Sequence, residues 1–172
     1  FKGVVEMERS NITERSSKLF PFSGVYSASK NLIQETDWKK INKEVSLVGS
    51  FWEAVGDQID QWKGARLGNI PASEVRRDYI NTHVIILQAL GMAGKDLIKK
   101  YPTNWKSKLK NLKNINWLKN NPIWQDRVIV NGRVVKNTGS INLASNVIKK
   151  ALGLPLNTKD KALESKIKKN GK

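Results

Sequence analysis

Seven residues in the second half of the chain carry the best-defined chemistry: Arg127, Arg133, Lys136, Lys149 and Lys150, with Lys119 and Trp124 upstream of them. Guanidinium and ammonium groups bind phosphate oxygens as charged donors, and an indole can stack on a base. Three of the cations sit on a recognisable scaffold. Val128-Ile129-Val130 and Val134-Val135 flank Asn131-Gly132, and Asn-Gly accepts the positive φ angles of a type I′ turn, so the stretch predicts a tight β-hairpin. A two-residue turn sets Val130 opposite Arg133, Ile129 opposite Val134, Val128 opposite Val135 and Arg127 opposite Lys136. Cations then lie at the mouth and beside the tip, next to Trp117 and Trp124. Basic and aromatic residues interleaved on a projecting ribbon point to nucleic acid. The competing reading is a structural ribbon with solvated arginines.

Other chemistries find little support. His83 is the sole histidine and there is no cysteine, so neither a thiolate or imidazole metal set nor a Ser/His or Cys/His nucleophile pair can be assembled. His83 lies in the most apolar stretch and reads as a structural histidine. Leu90–Asp96 contains Gly94-Lys95, but a phosphate loop needs Gly where Ala89 stands and Ser/Thr where Asp96 stands. The second half offers only Asp96, Asp126, Asp160 and Glu164, too few for a two-metal nuclease. No cofactor or metal is expected, and the chain reads as a binding domain rather than an enzyme.

Charge gives the hairpin its context. The chain carries +16 over 172 residues, yet residues 1–94 hold 12 Lys/Arg against 11 Asp/Glu, whereas residues 95–172 hold 19 against 4. A net of +1 beside a net of +15 implies a polyanion partner, double-stranded DNA foremost, because each neutralised phosphate releases counterions. A generally Lys-rich composition would not segregate in this way. No apolar run is long enough to cross a bilayer, and no signal peptide is visible. The expectation is a cytoplasmic protein without membrane contact.

The elements that must position these residues are mainly helical. Trp38, Ile41, Val45, Val48, Trp52, Val55, Ile59 and Trp62 follow one another at alternating steps of 3 and 4, an apolar seam that predicts one helix from Trp38 to Trp62 with Asp37 as N-cap. Trp38, Trp52 and Trp62 read as core, and the same reading extends to Trp117; Trp124 stays open between core and stacking platform. A second long helix is predicted from Ala72 to Lys100, ended by Pro102; Gly91, Ala93 and Gly94 either admit a close neighbour or mark a break. Arg9 to Gln34 predicts a polar start, an interruption at Pro21 and a helix through Val25, Ala28, Leu32 and Ile33. A basic helix over Trp105–Leu112, one from Ile141 to Leu152 capped by Ser140, and one capped by Thr158 and running to about Lys169 complete the chain. Hairpin followed by helix has the parts of a winged helix in an unusual order, and Ala151–Thr158 between two helices is long for a helix-turn-helix. Phe1–Met7 alternates as a strand with too few neighbours for a sheet of its own. The fold class is therefore mainly α: a helical bundle with one small hairpin, divided into residues 1–8, a remnant strand of an upstream domain, and residues 9–172.

Several segments together resemble one family. Arg15–Phe20 (R-S-S-K-L-F), Leu87–Gly91 (L-Q-A-L-G), Ile115–Trp124 (I-N-W-L-K-N-N-P-I-W), Asn131–Lys136 (N-G-R-V-V-K) and Asn146–Leu156 (N-V-I-K-K-A-L-G-L-P-L) are similar, in order, to the C-terminal part of DndB proteins of DNA sulfur modification, a DGQHR-domain family. The resemblance implies a DNA-binding regulator, a repressor of the modification genes rather than a sulfur-transfer enzyme, with other modification proteins as further partners. It also implies a D-G-Q-H-R motif; none occurs in this sequence, which is expected to be the helical portion that follows it. The alternative function is an assembly module whose basic face meets an acidic protein of the modification complex.

Overall fold

The computed structural model describes residues 3–33 and 41–170, with side chains as far as residue 167. Among these, eight α-helices and two two-stranded sheets make the protein mainly helical. Asp37, Trp38 and Gln34 fall outside the described residues, as do their expected roles as cap, seam and helix end.

The central element is α5 (Val84–Lys100), which buries Ile85, Ile86, Leu87, Ala89, Leu90, Ala93 and Leu97. Helix α1 (Phe22–Leu32) packs on one side of it and α7 (Thr138–Ala151) on another. The small residues of α5 admit close neighbours rather than marking a break. A Cβ at Gly91 would overlap the Ala28 carbonyl of α1, and one at Gly94 would enter the Phe51 ring. Backbone approach at such distances is possible only because no side chain intervenes.

Both long helices predicted from periodicity are interrupted. The first appears as α2 (Ile41–Gly56) and α3 (Asp60–Arg66). Trp52, Val55, Ile59 and Trp62 remain buried on one side across the break, whereas Val45 is exposed, so the seam describes a bent pair and not one straight rod. The second appears as α4 (Ala72–Asp78), a 3-10 turn (Ile80–Thr82) and α5. Its break has a tertiary cause. Tyr79 is extended and bridges Leu118; the Ile80 amide donates to the Trp117 carbonyl (2.9 Å) and the Lys119 amide to the Asp78 carbonyl (3.0 Å). Backbone groups that a continuous helix would have used internally are taken by a distant segment. The buried Asn81 makes the corner polar but satisfied: it accepts from Trp62 Nε1 (3.2 Å) and donates to Gln61 Oε1 (3.0 Å).

The expected N-terminal strand shortens to β1 (Val5–Glu6), which pairs in parallel with β2 (Phe20–Pro21), Val5 opposite Phe20. The basic helix is α6 (Trp105–Lys108), continued by a 3-10 segment (Leu109–Asn114). Helix α7 starts earlier than predicted because Asn137, not Ser140, caps it, its Oδ1 accepting from the Ser140 amide (2.8 Å). At α8 (Thr158–Asn170) Asn157 likewise supplies the cap oxygen, to Asp160 N at 2.8 Å, in place of Thr158. No helix among the described residues is long and apolar enough to cross a membrane.

Candidate nucleic-acid interface

The hairpin forms in the predicted register. Strands β3 (Ile129–Val130) and β4 (Arg133–Val134) pair antiparallel, Ile129 with Val134 and Val130 with Arg133, and the Val135 amide donates to the Val128 carbonyl (2.8 Å). Asn131 and Gly132 hold φ of 51° and 72°, the two positive values a type I′ turn requires. Val128 and Ile129 are buried, whereas Val130, Asn131, Gly132 and Arg133 are exposed. The ribbon is thus anchored at its foot and presents only its tip.

The seven singled-out residues divide into three groups. Arg133 and Lys136 are exposed, and neither forms a salt bridge among the described residues.

Arg127, Lys149 and Lys150 are drawn into an ionic network with acids of α5 and α8. Glu164, nearly buried, accepts from Arg127 Nη2 (2.9 Å), Lys150 Nζ (2.6 Å) and Asn146 Nδ2 (3.4 Å). Lys149 Nζ lies 2.7 Å from Asp96 and 3.1 Å from Asp160, its side chain only 7% exposed. Burial works to raise the Glu164 pKa, but the hydrogen bonds and charges of Arg127 and Lys150 outweigh it and hold the carboxyl below its ordinary value. Burial likewise depresses Lys149, and its two carboxylates more than reverse this. Lys149 is therefore a buried structural cation and not a phosphate contact. Arg127 is turned inward toward α8 instead of facing Lys136, and Lys150 keeps an exposed flank while tethered to Glu164.

Trp124 and Lys119 are also committed internally. The Trp124 ring is fully buried, stacks on Trp117 at 5.5 Å and 16°, and donates its Nε1–H to the Asn116 carbonyl (2.8 Å). No face is left for a base; it belongs to the core with the other described tryptophans. Lys119 Nζ donates to the Arg76 carbonyl (2.7 Å), and burial lowers its pKa against the opposing charge of Asp78.

A stronger surface lies where no site residue was expected. From the end of α5 through α6 and the 3-10 segment, residues 95–113 hold seven lysines and one acid, Asp96, which is the partner of Lys149. Lys99, Lys100, Lys106, Lys110 and Lys113 are exposed, and none of the seven forms a salt bridge among the described residues. Two aromatic rings lie among them: Lys100 and Lys108 approach the Tyr101 ring at 5.3 and 5.1 Å, and Lys106 the Trp105 ring at 5.5 Å. Such contacts orient long side chains without removing their charge. The lysines were visible in the sequence, but their lack of salt bridges among the described residues was not.

Arg76 is the other residue missed. Its Nη1 donates to the carbonyls of Ser16 (2.9 Å) and Lys18, and its Nη2 to those of Thr13 (3.0 Å) and Glu14 (2.6 Å). One guanidinium thereby holds the segment that carries R-S-S-K-L-F. An Arg followed by a second Arg on a short helix gives no sequence signal of that role.

Searches of curated proteins and of solved structures each give no significant match. A family model described as DndB, DNA-sulfur modification-associated, matches residues 1–155, nearly all of the chain up to the start of α8. The segments that carried the resemblance fall within that span apart from the last residue of the Asn146–Leu156 string, and the chain belongs to the DndB family of DNA-sulfur modification-associated proteins.

Proposed function

We propose that this chain is a DNA-contacting regulatory domain of the DNA-sulfur modification system, a binding module rather than a catalyst. It would grip duplex DNA through backbone phosphates and repress transcription of the modification genes. The observation that carries this reading is the lysine end, Lys99 to Lys113, whose exposed ammonium groups form no salt bridge among the described residues. Arg133 and Lys136 on the hairpin are the second contact. Point charges on flexible stems suit sequence-independent phosphate binding, which positions a protein on DNA, more than base readout.

The test compares two charge reversals by fluorescence anisotropy on a short duplex. Lys106→Glu/Lys110→Glu/Lys113→Glu should weaken binding at least tenfold, and Arg133→Glu/Lys136→Glu by a smaller factor. Unchanged affinity in the lysine triple variant would remove that end from the interface.

One observation favours a protein partner as a second reading. Phe22 and Tyr26 stand exposed one turn apart on α1, their rings 6.3 Å from each other, on the half of the chain that carries almost no net charge. Exposed paired aromatics suit an assembly contact with another modification protein. Co-purification that survives DNase and is lost in Phe22→Ser/Tyr26→Ser would support it; retention in that variant would contradict it.

A further inference from the structure

The foot of the hairpin borders a cavity of about 400 Å3 of which the DNA reading uses only Lys136, at its rim. Its wall brings together three distant parts of the chain: Ser10 and Asn11 from the loop after β1, Thr82 and His83 before α5, and Val134 of β4 with Lys136 just after it. Arg76 also lines it and is shared with an adjoining hollow of about 450 Å3 that contains Lys119.

The charge balance around this cavity is one-sided. No carboxylate lines the first cavity among the described residues. The guanidinium of Arg76 is held by four carbonyl oxygens, whose dipoles orient the cation without cancelling its charge. Lys119 Nζ likewise rests on a carbonyl, and Lys136 has no ion-pair partner among the described residues. Of the acids nearby, Asp78 is engaged by Arg77 at 2.8 Å through both its oxygens, and Glu14 lies in the second hollow.

We propose that the cavity between Asn11, Thr82, His83 and Lys136 binds the phosphate group of a ligand the size of a mononucleotide. Lys136 supplies the mobile cation, the Asn11 amide and the Ser10 hydroxyl supply neutral donors, and Arg76 supplies background positive potential. Lysine as a point charge with polar groups around it is a recurrent way to hold phosphate, and the volume falls in the range of small-ligand sites. This proposal stands apart from the DNA reading, since a free phosphate monoester would occupy the cavity whether or not the chain touches DNA.

His83 provides the test, because it is the only histidine in the chain and lines the cavity. Burial first, and then the charges of Lys119 and Lys136, push its pKa down to about 4. An oxyanion seated beside it would offset those charges. The experiment follows the imidazole resonances by NMR against pH, at constant ionic strength, in chloride, in inorganic phosphate, in AMP and with a short DNA duplex. AMP and phosphate should raise the His83 pKa by about one unit, the size expected of an opposite charge within a few ångströms. Lys136→Ala, at an exposed position where folding is not at stake, should abolish most of that rise, while Arg133→Ala at the hairpin tip should leave it intact. A rise with duplex alone would overturn the mononucleotide-sized ligand in favour of a DNA phosphate. The same His83 pKa in chloride, phosphate, AMP and duplex would overturn the proposal altogether, whatever the DNA affinity of the protein.

Discussion

At the scale of single residues, His83 and Glu164 set how stability responds to acid. His83 is held near 4 in the folded protein, below the ordinary 6.5, so between those values the unfolded chain binds the extra proton. Its contribution is fully present above about pH 6.5 and is lost as pH falls toward 4, by at most about 3 kcal/mol. Glu164, depressed by Arg127 and Lys150 against the effect of its burial, loses its contribution in the same direction at lower pH, as it is protonated through its depressed pKa. Urea denaturation at steps from pH 7 to pH 4.5 should show falling stability, and His83→Gln should flatten the upper part of that fall. Parallel curves for the two proteins would contradict the assignment to His83. The residue scale is also where sequence reading was least complete. Lys149, Arg127 and Lys150 look like phosphate contacts as types, yet their acidic partners Asp96, Asp160 and Glu164 lie on other elements. A side chain's partner depends on tertiary packing, and local spacing carries no record of it.

At the scale of elements, the close pairing of α1 with α5 is the feature most exposed to mutation. Gly91→Ala places a methyl group against the Ala28 carbonyl, a backbone atom that cannot rotate away, and should cost about 1–3 kcal/mol or more in a urea melt. Gly49→Ala on α2 meets nothing within 4 Å and should instead stabilise by about 0.5–1 kcal/mol through helix propensity. Equal effects at the two sites would show that α1 and α5 do not pack as described. Helices and hairpin were legible because burial imposes a period on the sequence: the Trp52–Trp62 seam and the Asn131-Gly132 turn are local signals. The breaks at Asp57–Ile59 and Tyr79–His83 were not legible. In the second case the backbone of residues 117–119 exchanges hydrogen bonds with that of residues 78–80, accepting from Ile80 and donating to Asp78, and no property of the helix's own side chains announces it. The caps moved for a simpler reason: Asn137 and Asn157 stand upstream of the Ser and Thr that were expected, and their side-chain oxygens accept from the Ser140 and Asp160 amides.

At the scale of the whole molecule, the segregation of charge survives folding but is redistributed. Part of the basic half is spent inside, where Arg127, Lys149 and Lys150 bind α8 to α7 and to the hairpin's root. Of the remainder, Lys99, Lys100, Lys106, Lys110 and Lys113 are exposed from the end of α5 through the 3-10 segment, Lys159, Lys161 and Lys166 on α8, and Arg133 and Lys136 at the hairpin tip and foot. The half of the chain that holds the excess positive charge was thus legible in composition, whereas which of its cations pair with acids was not. The central claim is that this surface binds DNA through phosphates. It is tested most directly by measuring the affinity of the protein for a short duplex across a range of salt concentrations. Each phosphate engaged contributes a slope of about −0.9 in log K against log salt, so four or more contacts from the lysine end should give a slope steeper than about −3.5, which Lys106→Glu/Lys110→Glu/Lys113→Glu makes shallower by about 2–3. No binding at low salt, or a slope that the triple substitution leaves unchanged, would contradict the account.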